Sequence, residues 1–82
     1  MFLYIAKSEI DRIFESRVAK AKEFVGNADE ALKNGQIDDA LRYYYWSYCL
    51  VKSLRYPNEA KIFVDGQDRS LLAWLPTRID DV

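Results

Sequence analysis

Histidine is absent from the 82 residues. With it go the commonest general base, the commonest metal ligand and every Ser-His or Cys-His nucleophile. The one cysteine, Cys49, excludes an intramolecular disulfide and any Cys-only zinc site. Charge of one sign is also lacking: 12 basic side chains stand against 13 acidic ones, interspersed, for a net charge of −1. No basic field exists to hold a phosphate backbone, so nucleic acid is not an expected partner. No apolar run approaches the ~20 residues of a membrane helix, so no direct membrane insertion is expected. Met1–Ala6 is too short for a signal-peptide core and has no basic lead-in. The three glycines form no phosphate-cradling loop.

What is present is a globular composition, 50% hydrophobic and 30% charged, of a length that makes one small domain over residues 1–82. Ser8 is a candidate helix cap, with Glu9 and Asp11 in its first turn. Ile10, Phe14, Val18, Ala21, Val25, Ala28 and Leu32 then recur at steps of three and four, which predicts a helix over 8–34. Asn27-Ala-Asp-Glu30 has the pattern of a capping box, but the stripe crosses Gly26 in phase, which favours one continuous helix. Asn34-Gly35 ends it, and the short link predicts an antiparallel hairpin with a second helix over 38–56. Asp38 and Asp39 at its start and Lys52 and Arg55 at its end complement the helix dipole. Residues 57–67 read as a connector, with Ile62-Phe63-Val64 extended or a stub of strand and Asp65-Gly66 a turn. Leu71, Leu72, Leu75, Ile79 and Val82 predict a third helix over 68–82, kinked at Pro76. Ile79–Val82 breaks off mid-pattern without a cap, which is the expectation for a piece of a longer chain.

The stretch Arg42–Tyr48, RYYYWSY, holds five aromatic rings in seven residues. At about 100° per residue, Trp46, Leu50, Tyr43, Leu54, Ala40, Val51 and Tyr44 form an arc of about 160°, wider than the ~100° of a helix resting on one neighbour. The second helix is therefore expected to be sandwiched, with Trp74 plugging the bundle. Tyr45 and Tyr48 fall off the arc near Leu41, Lys52 and Arg55, either as rim tyrosines packed on Lys and Arg stems or as a binding patch. In the second reading Tyr45, Tyr48, Arg42 and Lys52 are the candidate contact face for a protein partner or an adjoining domain, because Tyr and Arg are favoured at interface hot spots.

Little else carries chemistry. Asp65-Gly-Gln-Asp68 lacks the alternating ligands and closing glutamate of a calcium loop. Asp38-Asp39 and Asp80-Asp81 are adjacent pairs, which diverge by about 100° on a helix and do not converge on a substrate. Cys49 has neither a histidine nor a helix N-terminus to activate it. No catalytic residue, metal site or cofactor is expected, and the chain reads as a non-enzyme.

Ala28, Gly35, Ala40, Tyr44 and Ser47, followed by Pro57, give the hairpin a spacing that resembles a tetratricopeptide unit. With the third helix added, the whole resembles the microtubule-interacting-and-trafficking three-helix module, which implies a binder of helical peptide tails. The string from Asp38 to Glu59, with ALRYYYW at its start and LLAWLP following it, is similar to the central helical region of uncharacterised bacterial envelope lipoproteins. That resemblance implies an envelope location, on the periplasmic side, and a larger multidomain parent; without it the expected location is cytoplasmic. The expected fold is all-α, an antiparallel helical hairpin closed by a short kinked third helix. The expected function is a non-catalytic scaffold or protein-interaction domain of an envelope protein, with the peptide-tail module as the alternative.

Overall fold

The computed structural model describes the backbone from Phe2 to Val82 and side chains from Glu9 onward. Helix α1 spans Phe2–Lys33 and α2 spans Ile37–Lys52. A single 3-10 turn, Pro57–Glu59, leads into strand β1 at Lys61–Val64 and β2 at Gln67–Ser70, and α3 spans Leu71–Asp81.

The α1–α2 turn follows from Gly35. Its φ of 77° is the left-handed region that glycine enters without penalty. In that conformation the Gly35 N–H donates to the Leu32 carbonyl at 3.0 Å and the Gln36 N–H to that of Ala31 at 2.8 Å, closing the end of α1. The chain reverses, and cross-helix pairs then run in opposite directions: Tyr44 meets Asp29, Ser47 meets Ala21, and Tyr56 meets Phe14. The helices are antiparallel. α1 passes through Gly26 without a break, and the capping-box pattern at Asn27–Glu30 lies inside the helix. Ser8 also lies within α1 rather than at its cap.

The seam is built from small residues. Ala21, Val25, Ala28 and Ala31 of α1 face Ala40, Tyr44, Ser47 and Val51 of α2, all buried. α3 adds Leu71 and Leu75, both fully buried, with Leu72, Trp74 and Ile79 packed around them. Trp74 meets the Tyr44 ring edge-on at 6.5 Å.

Three elements depart from expectation. First, α2 ends at Lys52, about a turn before Tyr56. The Ser53 hydroxyl donates to the Leu50 carbonyl at 2.8 Å, the local competition by which serine ends helices, and Leu54 folds back into the core. Second, the fold is mostly helical but not all-α. Asp65 and Gly66 adopt φ of 53° and 77°, the pair of positive angles of a two-residue hairpin turn, and β1 and β2 pair antiparallel from Lys61↔Ser70 to Val64↔Gln67. The strand stub is a full partner in a sheet. Third, α3 begins at Leu71, because Asp68 is spent opposite Phe63 in that ladder. The Leu71 N–H donates to the Ala60 carbonyl at 2.9 Å, and the helix runs through Pro76 to Asp81.

Candidate interaction surface

The arc expected to bury α2 is displaced round the helix. Tyr44 has no exposed surface, but Trp46, placed at one edge of the arc, is 51% exposed. Tyr48, placed off it, packs partly buried against the core. Tyr45 is 59% exposed. Arg42 is exposed and lies 3.8 Å from Asp39, and Lys52 is exposed at the end of α2. Of these four, Tyr45, Arg42 and Lys52 are exposed, and Tyr48 packs partly against the core.

The displacement comes from where α3 lies. It packs in the groove on one side of the hairpin, where Arg78 reaches Tyr44 of α2 and Asp29 of α1. Phe24 lies about 140° round α1 from Asp29, and Trp46 about 160° round α2 from Tyr44. These two side chains therefore mark the second groove of the same hairpin, where they meet. Phe24, Tyr43 and Trp46 form an aromatic cluster with centroid separations of 6.2 Å (Phe24–Tyr43), 6.0 Å (Phe24–Trp46) and 5.6 Å (Tyr43–Trp46). The Tyr43 and Trp46 rings stand edge to face, the arrangement aromatic quadrupoles favour. Lys20 holds its ammonium 5.3 Å from the Phe24 centroid and 3.5 Å from Glu23.

The cluster sits between depressions. Towards the turn is one of about 280 Å³, with Glu30, Asn34, Asp39 and Tyr43 among its walls. In the other direction is one of about 400 Å³, with Arg17, Lys20 and Leu50 in its lining. Beyond it lies one of about 190 Å³ walled by Ile13, Phe14, Arg17, Leu54 and Arg55. The second groove thus has an aromatic middle, with Glu30 and Asp39 towards the helix turn and Arg17, Lys20, Glu23 and Arg55 in the other direction. None of these depressions is lined by Tyr45, Tyr48 or Lys52. Phe24 falls between the stripe positions Ala21, Val25 and Ala28, so the α1 pattern alone did not single it out. The signal that finds it is its position about 40° from Ala28 on the side away from Asp29.

On the α3 side the contacts are polar and internal. The Tyr44 hydroxyl donates to the Asp29 carboxylate, and Arg78 Nε–H donates to the Tyr44 oxygen at 3.0 Å, with Nη2 3.7 Å from Asp29. Burial pushes the Tyr44 phenol above its ordinary pKa. The bond to Asp29, which needs the phenolic proton, adds to this, while Arg78 opposes it. The bond to Tyr44 raises Arg78 further, so it remains cationic. One buried phenol ties all three helices together.

The residues weighed for chemistry stay apart. Cys49 is exposed, and Asp65 and Asp68 lie at the hairpin turn and on the strand after it. Among the described residues no group of three or more Cys, Asp or Glu side chains is placed to hold a metal ion, and no helix is long and apolar enough to cross a membrane. Comparison with protein-family models, with curated proteins and with solved structures finds no match for this chain.

Proposed function

We propose that the chain is a non-catalytic helical scaffold whose second groove receives a protein partner. The observation that carries this reading is the aromatic cluster of Phe24, Tyr43 and the half-exposed Trp46, set in a groove of the kind that α3 already fills on the other side. Tryptophan and tyrosine are the side chains that dominate interface energetics, because they bury large area at little entropic cost. The tetratricopeptide-like spacing supports a packing role for the hairpin: Ala28, Ala40 and Ser47 are all fully buried in the seam. The ALRYYYW string supports a setting in a larger bacterial envelope protein, and cell fractionation of the parent tests that setting.

A photo-cross-linking phenylalanine placed at position 46, and for comparison at 45 and 63, tests the contact face. Discrete adducts from position 46, few from 45 and 63, and loss of the adducts on Phe24→Ser are the expected result. Folded protein that yields no adduct at 46, or equal labelling at all three positions, would remove the groove from consideration.

A further inference from the structure

We propose that the pocket between the start of α1 and the end of α2, rimmed by Arg17 and Arg55, binds a small organic acid: one carboxylate carried on one compact apolar group. This site is separate from the aromatic cluster of the second groove, and the two stand or fall by different measurements.

The pocket follows from where the helices lie. Round α1, Ile10, Ile13, Phe14 and Arg17 fall within about 100° of one another, so they make one face. Past the end of α2, Leu54 is buried against the core and Arg55 is exposed. Together these six enclose a pocket of about 190 Å³. Its interior is aliphatic and aromatic, and among the described residues its lining carries two arginines and no acid.

Neither arginine is spent elsewhere. The ion pairs among the described side chains join Arg12 to Glu9, Lys20 to Glu23, Arg42 to Asp39 and Arg78 to Asp29. No acid precedes Glu9 in the sequence. Asp11 and Glu23 each lie about 120° round α1 from Arg17, and Glu15 about 160°. Arg55 is also positioned. Its guanidinium carbon lies 5.9 Å from the Tyr56 ring centroid, and Tyr56 stands edge-on to Phe14 at 6.1 Å. The cation is thus tied through one ring to the wall of the pocket.

Two guanidinium forks beside an apolar pocket match a group that is anionic at one end and apolar at the other. Each fork can offer paired N–H donors to a planar carboxylate. A dianionic phosphate is disfavoured, because the pocket lies by the carbonyl end of α2 and has no helix N-terminus in its lining. At about 190 Å³ the pocket is smaller than the ~300 Å³ at which sites for drug-sized ligands begin. The apolar group is therefore about the size of a leucine side chain. A free acid and the last residue of a polypeptide both carry this chemistry. Because both arginines are exposed, salt weakens the binding.

Titration of the full chain with isocaproate, followed by backbone amide NMR shifts, tests the site. Saturable shifts centred on Ile10–Arg17 and Leu54–Tyr56 are expected. Isocaproamide, which lacks the charge, and acetate, which lacks the apolar group, are each expected to bind about tenfold more weakly. Arg17→Gln and Arg55→Gln, checked for folding by circular dichroism, should each weaken isocaproate about fivefold, and Arg42→Gln at the other end of the hairpin should leave it unchanged. Ile13 is 47% exposed, so Ile13→Asn keeps the fold and is expected to cost about threefold. N-acetyl-leucine, which is isocaproate with an added acetamido group, separates the two sources. Binding several-fold tighter than isocaproate assigns the site to a chain terminus, and binding no tighter assigns it to free acids. Absence of saturable binding, an amide or acetate as tight as isocaproate, or arginine variants as tight as the wild type would each overturn the proposal. None of these results alters the cross-linking expected from position 46.

Discussion

Ser47 of α2 donates a 2.8 Å hydrogen bond to the backbone carbonyl of Ala21, 26 residues earlier on α1. Both residues are fully buried. A serine hydroxyl in mid-helix ordinarily bonds back to its own preceding turn. Here it crosses to the neighbour, which requires the two backbones to approach closely, and Ala21, Ala28 and Ala40 leave the room for that. The same close approach draws Phe24, Tyr43 and Trp46 together at the rim of the seam.

Ser47→Ala removes one bond and adds no volume. It is expected to lower stability by about 1 kcal/mol, a fall in melting temperature of roughly 4–8 °C for a domain of this size. Ser47→Leu wedges the helices apart and is expected to lose about 3 kcal/mol or more. Urea denaturation of the two variants decides the point. If leucine were tolerated as well as alanine, the seam would not be closely packed.

Tyr44 makes a second, independent test, because its hydroxyl joins polar contacts from both other helices. Tyr44→Phe keeps the ring against Trp74 and deletes the oxygen shared by Asp29 and Arg78. Asp29 and Arg78 are partly solvated, so screening holds the expected loss to about 1 kcal/mol. The alkaline behaviour is more specific. The folded state binds the phenolic proton more tightly than the unfolded state, because the Tyr44 pKa is raised by burial and by the bond to Asp29. Its contribution is therefore fully present below about pH 10, the ordinary phenol value, and is lost as pH rises through the raised pKa. Wild type should lose stability faster than Tyr44→Phe above pH 10, measured as the difference between their denaturation midpoints. Parallel curves would mean that the phenol is not bonded as described.

The hairpin of helices was legible because both ends of its turn are written in local chemistry: the three-and-four stripe to Leu32, then Asn34-Gly35. The strand pair was half legible. Asp65-Gly66 announced a turn, but Gln67–Ser70 is polar, without the alternation that marks a strand, and is held in place by pairing with Lys61–Val64 rather than by its own pattern. The buried arc of α2 was misplaced because a wheel shows which side chains are apolar and not which groove the third helix fills. Arg78 on Tyr44 and Asp29 fixes that choice, and no periodicity links residues 34 positions apart. Trp46 came to the surface by the same choice.

The three glycines give the last prediction, and its interest lies in the sign. An added Cβ would meet nothing within 4 Å at Gly26, Gly35 or Gly66. Steric room alone would make all three replacements alike. Gly26, however, lies inside α1, where alanine is the better helix former by about 1 kcal/mol, so Gly26→Ala is expected to raise the melting temperature. Gly35 and Gly66 both sit at φ of 77°, where an L side chain is disfavoured by roughly 1–2 kcal/mol. Gly35→Ala is therefore expected to lower the melting temperature by strain at the end of α1. Gly66→Ala should strain the β1–β2 turn, with its clearest effect on amide exchange within that hairpin. Melting curves for the three variants, together with exchange rates at Val64 and Gln67, separate the two causes. A stabilising Gly35→Ala would show that the α1–α2 link does not turn through the left-handed conformation, and the antiparallel seam that sets up the second groove would have to be redrawn.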